Sequence, residues 1–414
     1  MVRAMPDTTL IDEARSRAQG IIALRRAIHA EPELGLMTPR TSAKVRAALA
    51  HLPLEWREGP STSGMIAILK GGAGTNTRNG GRSVLLRGDM DALPMPEETG
   101  LPFASTVAGA MHACGHDAHT AMLAGAAELL CARSTSLKGE VRFMFQPGEE
   151  GFHGARFMLD DGLLGGGLLD PLPDAAFALH VMPNAPHGIV AGRAGPLLAA
   201  ADMIEITVEG AGGHASMPHQ TRDPVPVACE IVTALQTLVT RQFNAHDPVV
   251  ITVASINAGS THNVIPDRAV LRGTMRSLSA ENRARLGDSV RLLAVGIAGA
   301  HGLTAEVTIE EGFPVTICDS RAVDFGEVTA RALFGEQAFL RLADPIMGAE
   351  DFAYVLDKVP GAMFFLGVAP QGDNWASCCG IHSTRMMLDE AVLPQGAALL
   401  AGLAERFLET GFAA

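Results

Sequence analysis

Along the first 195 residues the hydrophobic positions come in short unbroken runs and not in strict alternation. Residues 11–50 predict helices, with Arg25-Arg26-Ala27-Ile28-His29 ending one and Pro32 and Gly35 breaking the chain after it. Strands are predicted at 64–70, at Val84-Leu85-Leu86, at 141–145 and at 175–180, and an Ala/Leu/Met-rich helix at 118–133. Strands apolar on both faces, alternating with helices, require a sheet covered on both sides, so an α/β domain is expected. Polar clusters fall just beyond the strand ends, where open α/β sheets place their sites.

The rhythm changes after Gly195-Pro196. Residues 203–209 (Met-Ile-Glu-Ile-Thr-Val-Glu) alternate, as a strand with one wet face should. A helix at 224–241, strands near 248–256 and 268–276, a helix at 280–299 and a strand at 304–311 follow. This β-α-β-β-α-β order predicts a ferredoxin-like α+β unit. The first pattern resumes after Gly312-Phe313-Pro314. The expected organisation is therefore a discontinuous catalytic domain, 1–196 with 313–414, interrupted by an inserted domain, 197–312. The glycine-rich run from Gly71 to Gly81 has neither the dinucleotide nor the Walker spacing and is read as a hairpin or surface loop.

Composition narrows the function. A chain of 414 residues needs two or more domains, and 47% hydrophobic with 19% charged residues is globular, not disordered. A net charge of −13 and 5% aromatics argue against nucleic acid and anionic membranes as partners. The N-terminal Met1-Val2-Arg3-Ala4-Met5-Pro6-Asp7 lacks the apolar core of a signal peptide, and no run is long enough to span a bilayer. Six scattered cysteines have no framework spacing. A reduced, cytoplasmic enzyme is expected.

Two clusters carry chemistry. His112-Ala113-Cys114-Gly115-His116-Asp117-Ala118-His119 places three imidazoles, a thiol and a carboxylate in eight positions before a predicted helix. Thiolate and imidazole suit zinc, nickel or cobalt, although the same residues could merely cap the helix. Gln146-Pro147-Gly148-Glu149-Glu150-Gly151 follows a buried strand, so one carboxylate can bind metal while its neighbour faces substrate; the alternative is a solvated turn. His180 ends a strand, His382 lies in Gly380-Ile381-His382-Ser383, and Asp89 and Asp91 sit in the turn Arg87–Pro94, where they could orient ligand histidines or cap the turn.

Taken together, these segments occur in one order with Gly212-Gly213-His214-Ala215-Ser216, Asn263-Val264-Ile265-Pro266 and Gly348-Ala349-Glu350-Asp351-Phe352. The set closely resembles the aminoacylase–carboxypeptidase family of dinuclear metallopeptidases. Cys114-Gly115-His116-Asp117 resembles its hippurate hydrolase and auxin-conjugate amidohydrolase group. The resemblance runs from about His29 to Glu390. It implies a mixed-sheet metallopeptidase domain of the phosphorylase/hydrolase-like type with an inserted dimerisation domain, and two divalent ions per subunit (Zn, Mn, Ni or Co).

By the same resemblance Cys114 bridges the ions, His116 and His180 complete one ligand set, and Glu150 and His382 complete the other. Glu149 is the implied general base, His214 an oxyanion donor reaching a partner subunit in a homodimer or higher homo-oligomer, and Asn263 and Arg276 contacts for a substrate carboxylate. Asp89, Asp91 and Asp117 are implied to support the ligands. The expected activity is hydrolysis of the amide in an N-acyl amino acid. A dipeptidase or carboxypeptidase on the same scaffold is the near alternative, and a silent binding protein or a thiol hydrolase using Cys114 the distant ones. One departure concerns the pocket wall: His382-Ser383 continues into Thr384-Arg385-Met386, where the family places proline and aromatic residues. Cys378-Cys379, just upstream, has no assigned role.

Overall fold

In the computed structural model, residues 8–73, 81–165, 170–369 and 379–413 are described. Most of the Gly71–Gly81 run, and Cys378, lie outside them. The chain divides into two units: Met1–Leu197 with Ile317–Asp344 and Asp351–Ala414, and Leu198–Thr316 with Pro345–Glu350.

The first unit is built on an eight-stranded mixed sheet. Its strands lie in the order Glu55–Glu58, Met65–Lys70, Glu140–Gln146, Ser83–Asp89, Ala175–Met182, Gly361–Gly367, Val190–Gly192, Phe339–Arg341. The central four run parallel, while Met65–Lys70 and Val190–Gly192 pair antiparallel at their flanks. All positions of Gly361–Gly367 and all but the first of Ser83–Asp89 are buried. These are the two-sided strands that unbroken apolar runs demand. The strands Val190–Gly192, Phe339–Arg341 and Gly361–Gly367 and the helices Ser320–Phe334 and Leu393–Thr410 are not among the elements expected individually from the sequence.

The helix expected at 118–133 is His116–Ala132, so His116, Asp117 and His119 belong to its first turns and not to a preceding loop. Almost every residue of it is buried, which its alanines permit, and it packs against Ala18–His29 and Leu393–Thr410. Helix Ala18–His29 buries Ile21, Leu24 and Ile28, and on the same stripe Arg25 and His29.

In the second unit Ala200–Glu209, Val249–Ala258, Arg268–Ser277 and Thr304–Glu310 form one antiparallel sheet in the order second, third, first, fourth. With helices Pro224–Gln242 and Ala280–Ala300 this is the β-α-β-β-α-β order of a ferredoxin-like unit. Ile204, Ile206 and Val208 meet Ile231, Leu235 and Val290 in its core, each burial contributing about 1.5–3 kcal/mol. Asp223 and Ser279 cap the two helices by accepting from the amides of Val225 and Asn282.

Candidate metal centre

The carboxyl ends of the central strands deliver the site. Ser83–Asp89 runs into Asp91, Glu140–Gln146 into Glu149 and Glu150, and Ala175–Met182 carries His180. Gly115 initiates the helix that presents Cys114 and His116. Its φ of +90° is a left-handed conformation, and a Cβ there would meet Val181 Cγ2 at 2.3 Å, so only glycine lets the Cys114–His116 turn close onto the strand.

Two trios of potential ligand atoms result, each with all atoms within 4.8 Å of one another: Cys114, His116, His180 and Cys114, Glu150, His382. Cys114 is common to both. Its Sγ lies 3.4 Å from His180 Nε2, and His382 Nε2 lies 3.3 Å from a Glu150 carboxylate oxygen. His382, half exposed, sits at φ 63°, a strained conformation for a non-glycine residue, and its amide donates to Ala113 O at 2.7 Å.

The donor set fits divalent ions. Among the described residues His116 Nε2 is buried without a hydrogen-bond partner, a costly condition for a polar atom that a coordinated ion removes, and buried Glu150 Oε1 has only the His382 imidazole at 3.3 Å. Thiolate, imidazole and carboxylate are the ligands of borderline divalent metals. Burial drives His180 well below the ordinary histidine range, and neighbouring His119 adds to it, so the ring is held neutral, as ligation requires. Burial opposes a charge on His116, but Asp89 and Cys114 beside it raise its pKa well above 6.5. Hydrogen bonds to Cys114 and Glu150 push His382 up to about 10. Burial pushes the Cys114 thiol up even though His116 pulls the other way.

Supporting groups fix the ligands. Asp91 accepts from the amides of Glu149 and Glu150, each at 3.0 Å, and its backbone oxygen lies 2.8 Å from His116 Nδ1. Its carboxylate therefore shapes the Glu-Glu turn, and only its carbonyl orients a histidine. Asp89 lies 2.7 Å from His119 Nδ1 and 3.6 Å from His116 Nε2. Burial resists its ionisation, yet Arg87, with His116 and His119, holds it well below the usual carboxylate range. Asp117 faces inward instead: Arg25 Nε and His29 Nδ1 contact its Oδ2 at 2.7 and 2.8 Å, tying helix Ala18–His29 to the ligand-bearing one. Glu149 is buried, and one of its oxygens is 3.9 Å from His116 Nε2.

Arg87, Gln146 and Asp351 were not singled out from the sequence. Arg87 donates to Asp89 at 2.6 Å, Gln146 at 2.9 Å and Asp351 at 3.1 Å, and Asp351 also receives Gln146 Nε2 and the amide of Ala155. The available signal was an arginine and an amide at the ends of apolar strands, which must find partners when buried. Arg25 and His29 carried a similar signal, lying on the apolar stripe of their helix.

The remaining predicted residues belong to the second unit. His214, exposed, accepts at Nδ1 from the Ser216 amide at 3.1 Å; Asn263 Oδ1 accepts from Thr261 Oγ1 at 3.1 Å; and Arg276 donates to Met347 O at 3.1 Å. Cys379 is half-buried.

Relatives share this architecture over nearly the full chain. Thermostable carboxypeptidase 1 of Saccharolobus solfataricus is 36% identical over 96% of this chain and 98% of its own. An N-acetylcysteine deacetylase of Bacillus subtilis is 38% identical over 94% and 97%. The solved structure of the Bacillus subtilis YXEP protein, a dinuclear metal-binding peptidase of the M20 family, superposes with a TM-score of 0.80 at 34% identity, covering 96% and 99% of the two chains. The sequence profile of peptidase family M20/M25/M40 matches residues 85–406, a span that holds every ligand candidate from Cys114 to His382, and the chain belongs to that family.

Proposed function

We propose that this chain is a metal-dependent amidohydrolase that cleaves the amide bond of N-acyl amino acids, hippurate-like substrates among them, with Glu149 as general base. The observation that carries the reading is Cys114 shared by two ligand trios, with Glu149 beside them on a turn pinned by Asp91. Bound divalent ions supply Lewis acidity, polarising the amide carbonyl and acidifying a water. Glu149 would take that water's proton on its carboxylate and return it to the departing nitrogen. Burial of Glu149 keeps bulk water from competing for the proton. Asp91 would fix the direction of both glutamates, so that Glu150 serves the metal and Glu149 the reaction. Cys114 would act as a ligand and not as a nucleophile.

The proposal includes a cytoplasmic homodimer in which His214 of one subunit serves the centre of the other as an oxyanion donor, with Asn263 and Arg276 on a substrate carboxylate. The relative named for deacetylating N-acetylcysteine supports the acyl-amino-acid reading. The relative named a carboxypeptidase supports a second one, in which the acyl side is a peptide.

The test is a panel of N-benzoyl and N-acetyl amino acids against free dipeptides, run on metal-free protein reloaded with Zn, Mn, Co or Ni. Faster turnover of the acyl amino acids is expected; preference for peptides would favour the second reading. Glu149→Gln should retain its metal while kcat falls by roughly 100-fold or more. Loss of the metal instead would mean that the two glutamates have exchanged roles.

A further inference from the structure

His119 stands in a third group of potential ligand atoms, with Asp89 and His116, yet both of its nitrogens are already committed. The Val181 amide donates to His119 Nε2 at 2.8 Å, so that nitrogen carries no proton. Nδ1 therefore holds the ring's hydrogen and donates it to Asp89 Oδ1 at 2.7 Å. Asp89 is itself gripped by Arg87. Val181 follows the candidate ligand His180, and its carbonyl lies 2.7 Å from His180 Nδ1. Its peptide groups need these partners because the ladder with strand Ser83–Asp89 has ended: the last pair is Arg87 with Ala178. The rings of His119 and His180 lie 4.5 Å apart between centroids.

We infer that His119 is a positioning residue, not a ligand: it holds the amide of Val181, and the carbonyl of that same residue, one peptide further on, sets the tautomer and direction of His180. The path is continuous, from Arg87 through Asp89, His119 and the backbone of Val181 (amide to carbonyl) to His180, and leaves His180 Nε2 facing Cys114. Partners of this kind typically change metal affinity by about 10–100-fold. The inference rests on the metal-centre reading above and adds to it a residue whose loss should affect one ion and spare the other.

Glutamine and asparagine separate the two bonds, since a Gln side-chain amide reaches the Nε2 position and an Asn amide only the Nδ1 position. Metal-free full-length protein, with folding checked by circular dichroism, is titrated with Co(II) and followed by thiolate-to-cobalt absorption. His119→Asn should bind one cobalt roughly 10–100-fold more weakly, with the second changed by less than about threefold. His119→Gln, which keeps an acceptor for the Val181 amide, should stay near wild type. Equal affinities in all three proteins would overturn the inference, and so would a loss in His119→Gln as large as in His119→Asn, which would make the His119 nitrogen a ligand. Failure of the wild type to take up cobalt would instead refute the metal reading. Nitrogen NMR of metal-free protein tests the hydrogen bonds by themselves: His119 should show the Nδ1–H tautomer, and an Nε2–H ring would overturn the inference.

Discussion

Replacing His112 by leucine should flatten the acid limb of the protein's stability. His112 is buried, and neither ring nitrogen has a hydrogen-bond partner among the described residues. Burial holds its pKa down, and although Asp117 opposes this, His29, His116 and Arg25 reinforce it, taking the value from 6.5 to about 3. The folded protein thus keeps the ring neutral over a range in which the unfolded chain protonates it. Unfolding takes up a proton there, so this contribution is complete above pH 6.5 and is lost as pH falls towards 3. At about 1.4 kcal/mol per pH unit it amounts to about 2 kcal/mol between pH 6.5 and 5, and about 5 kcal/mol over the whole interval. His29, whose pKa is raised against its burial by Asp117, contributes with the opposite sign: its stabilisation is present at low pH and fades as pH rises through the folded value. That effect is common to both proteins and largely cancels in their difference. Urea unfolding of metal-free wild type and His112→Leu at pH 6.5 and 5 should therefore show the wild type losing about 2 kcal/mol more. Because His112 has no hydrogen bond to forfeit, the variant should fold. Parallel pH dependences in the two proteins would refute the reasoning.

Three other outcomes follow from the geometry. Gly115→Ala should destabilise the metal-free protein by about 2–4 kcal/mol, combining left-handed backbone strain with a clash against Val181, and thermal unfolding reads it directly. Cys114→Ala should remove at least one of the two ions by elemental analysis, and wild-type activity that survives chelation and removal of metal would revive the thiol hydrolase using Cys114. If His214 serves a partner subunit, mixing inactive His214→Ala and Glu149→Gln subunits should restore activity, whereas no recovery after demonstrated subunit exchange would exclude that arrangement.

Much of this protein was legible in its sequence because local rules reach that far. Unbroken apolar runs at 84–86, 141–145 and 175–180 required a two-sided sheet, and alternation at 203–209 required a second, one-sided one. Cysteine, histidines and paired glutamates at strand ends offered metal chemistry as one reading, beside helix capping and a solvated turn, and the order of the motifs favoured it. Adjacency along the chain could not reveal which of these groups meet. Cys114 and His180 are 66 positions apart and meet only because parallel strands bring their carboxyl ends to one edge. The sequence also could not divide labour among like residues. His116, His119 and His112 lie within eight positions, yet one is aimed at a ligand set, one is consumed by a backbone amide and a carboxylate, and one is buried with no hydrogen-bond partner among the described residues. Those roles depend on which hydrogen-bonding groups a side chain meets after the sheet and helices pack, and tertiary structure alone decides that.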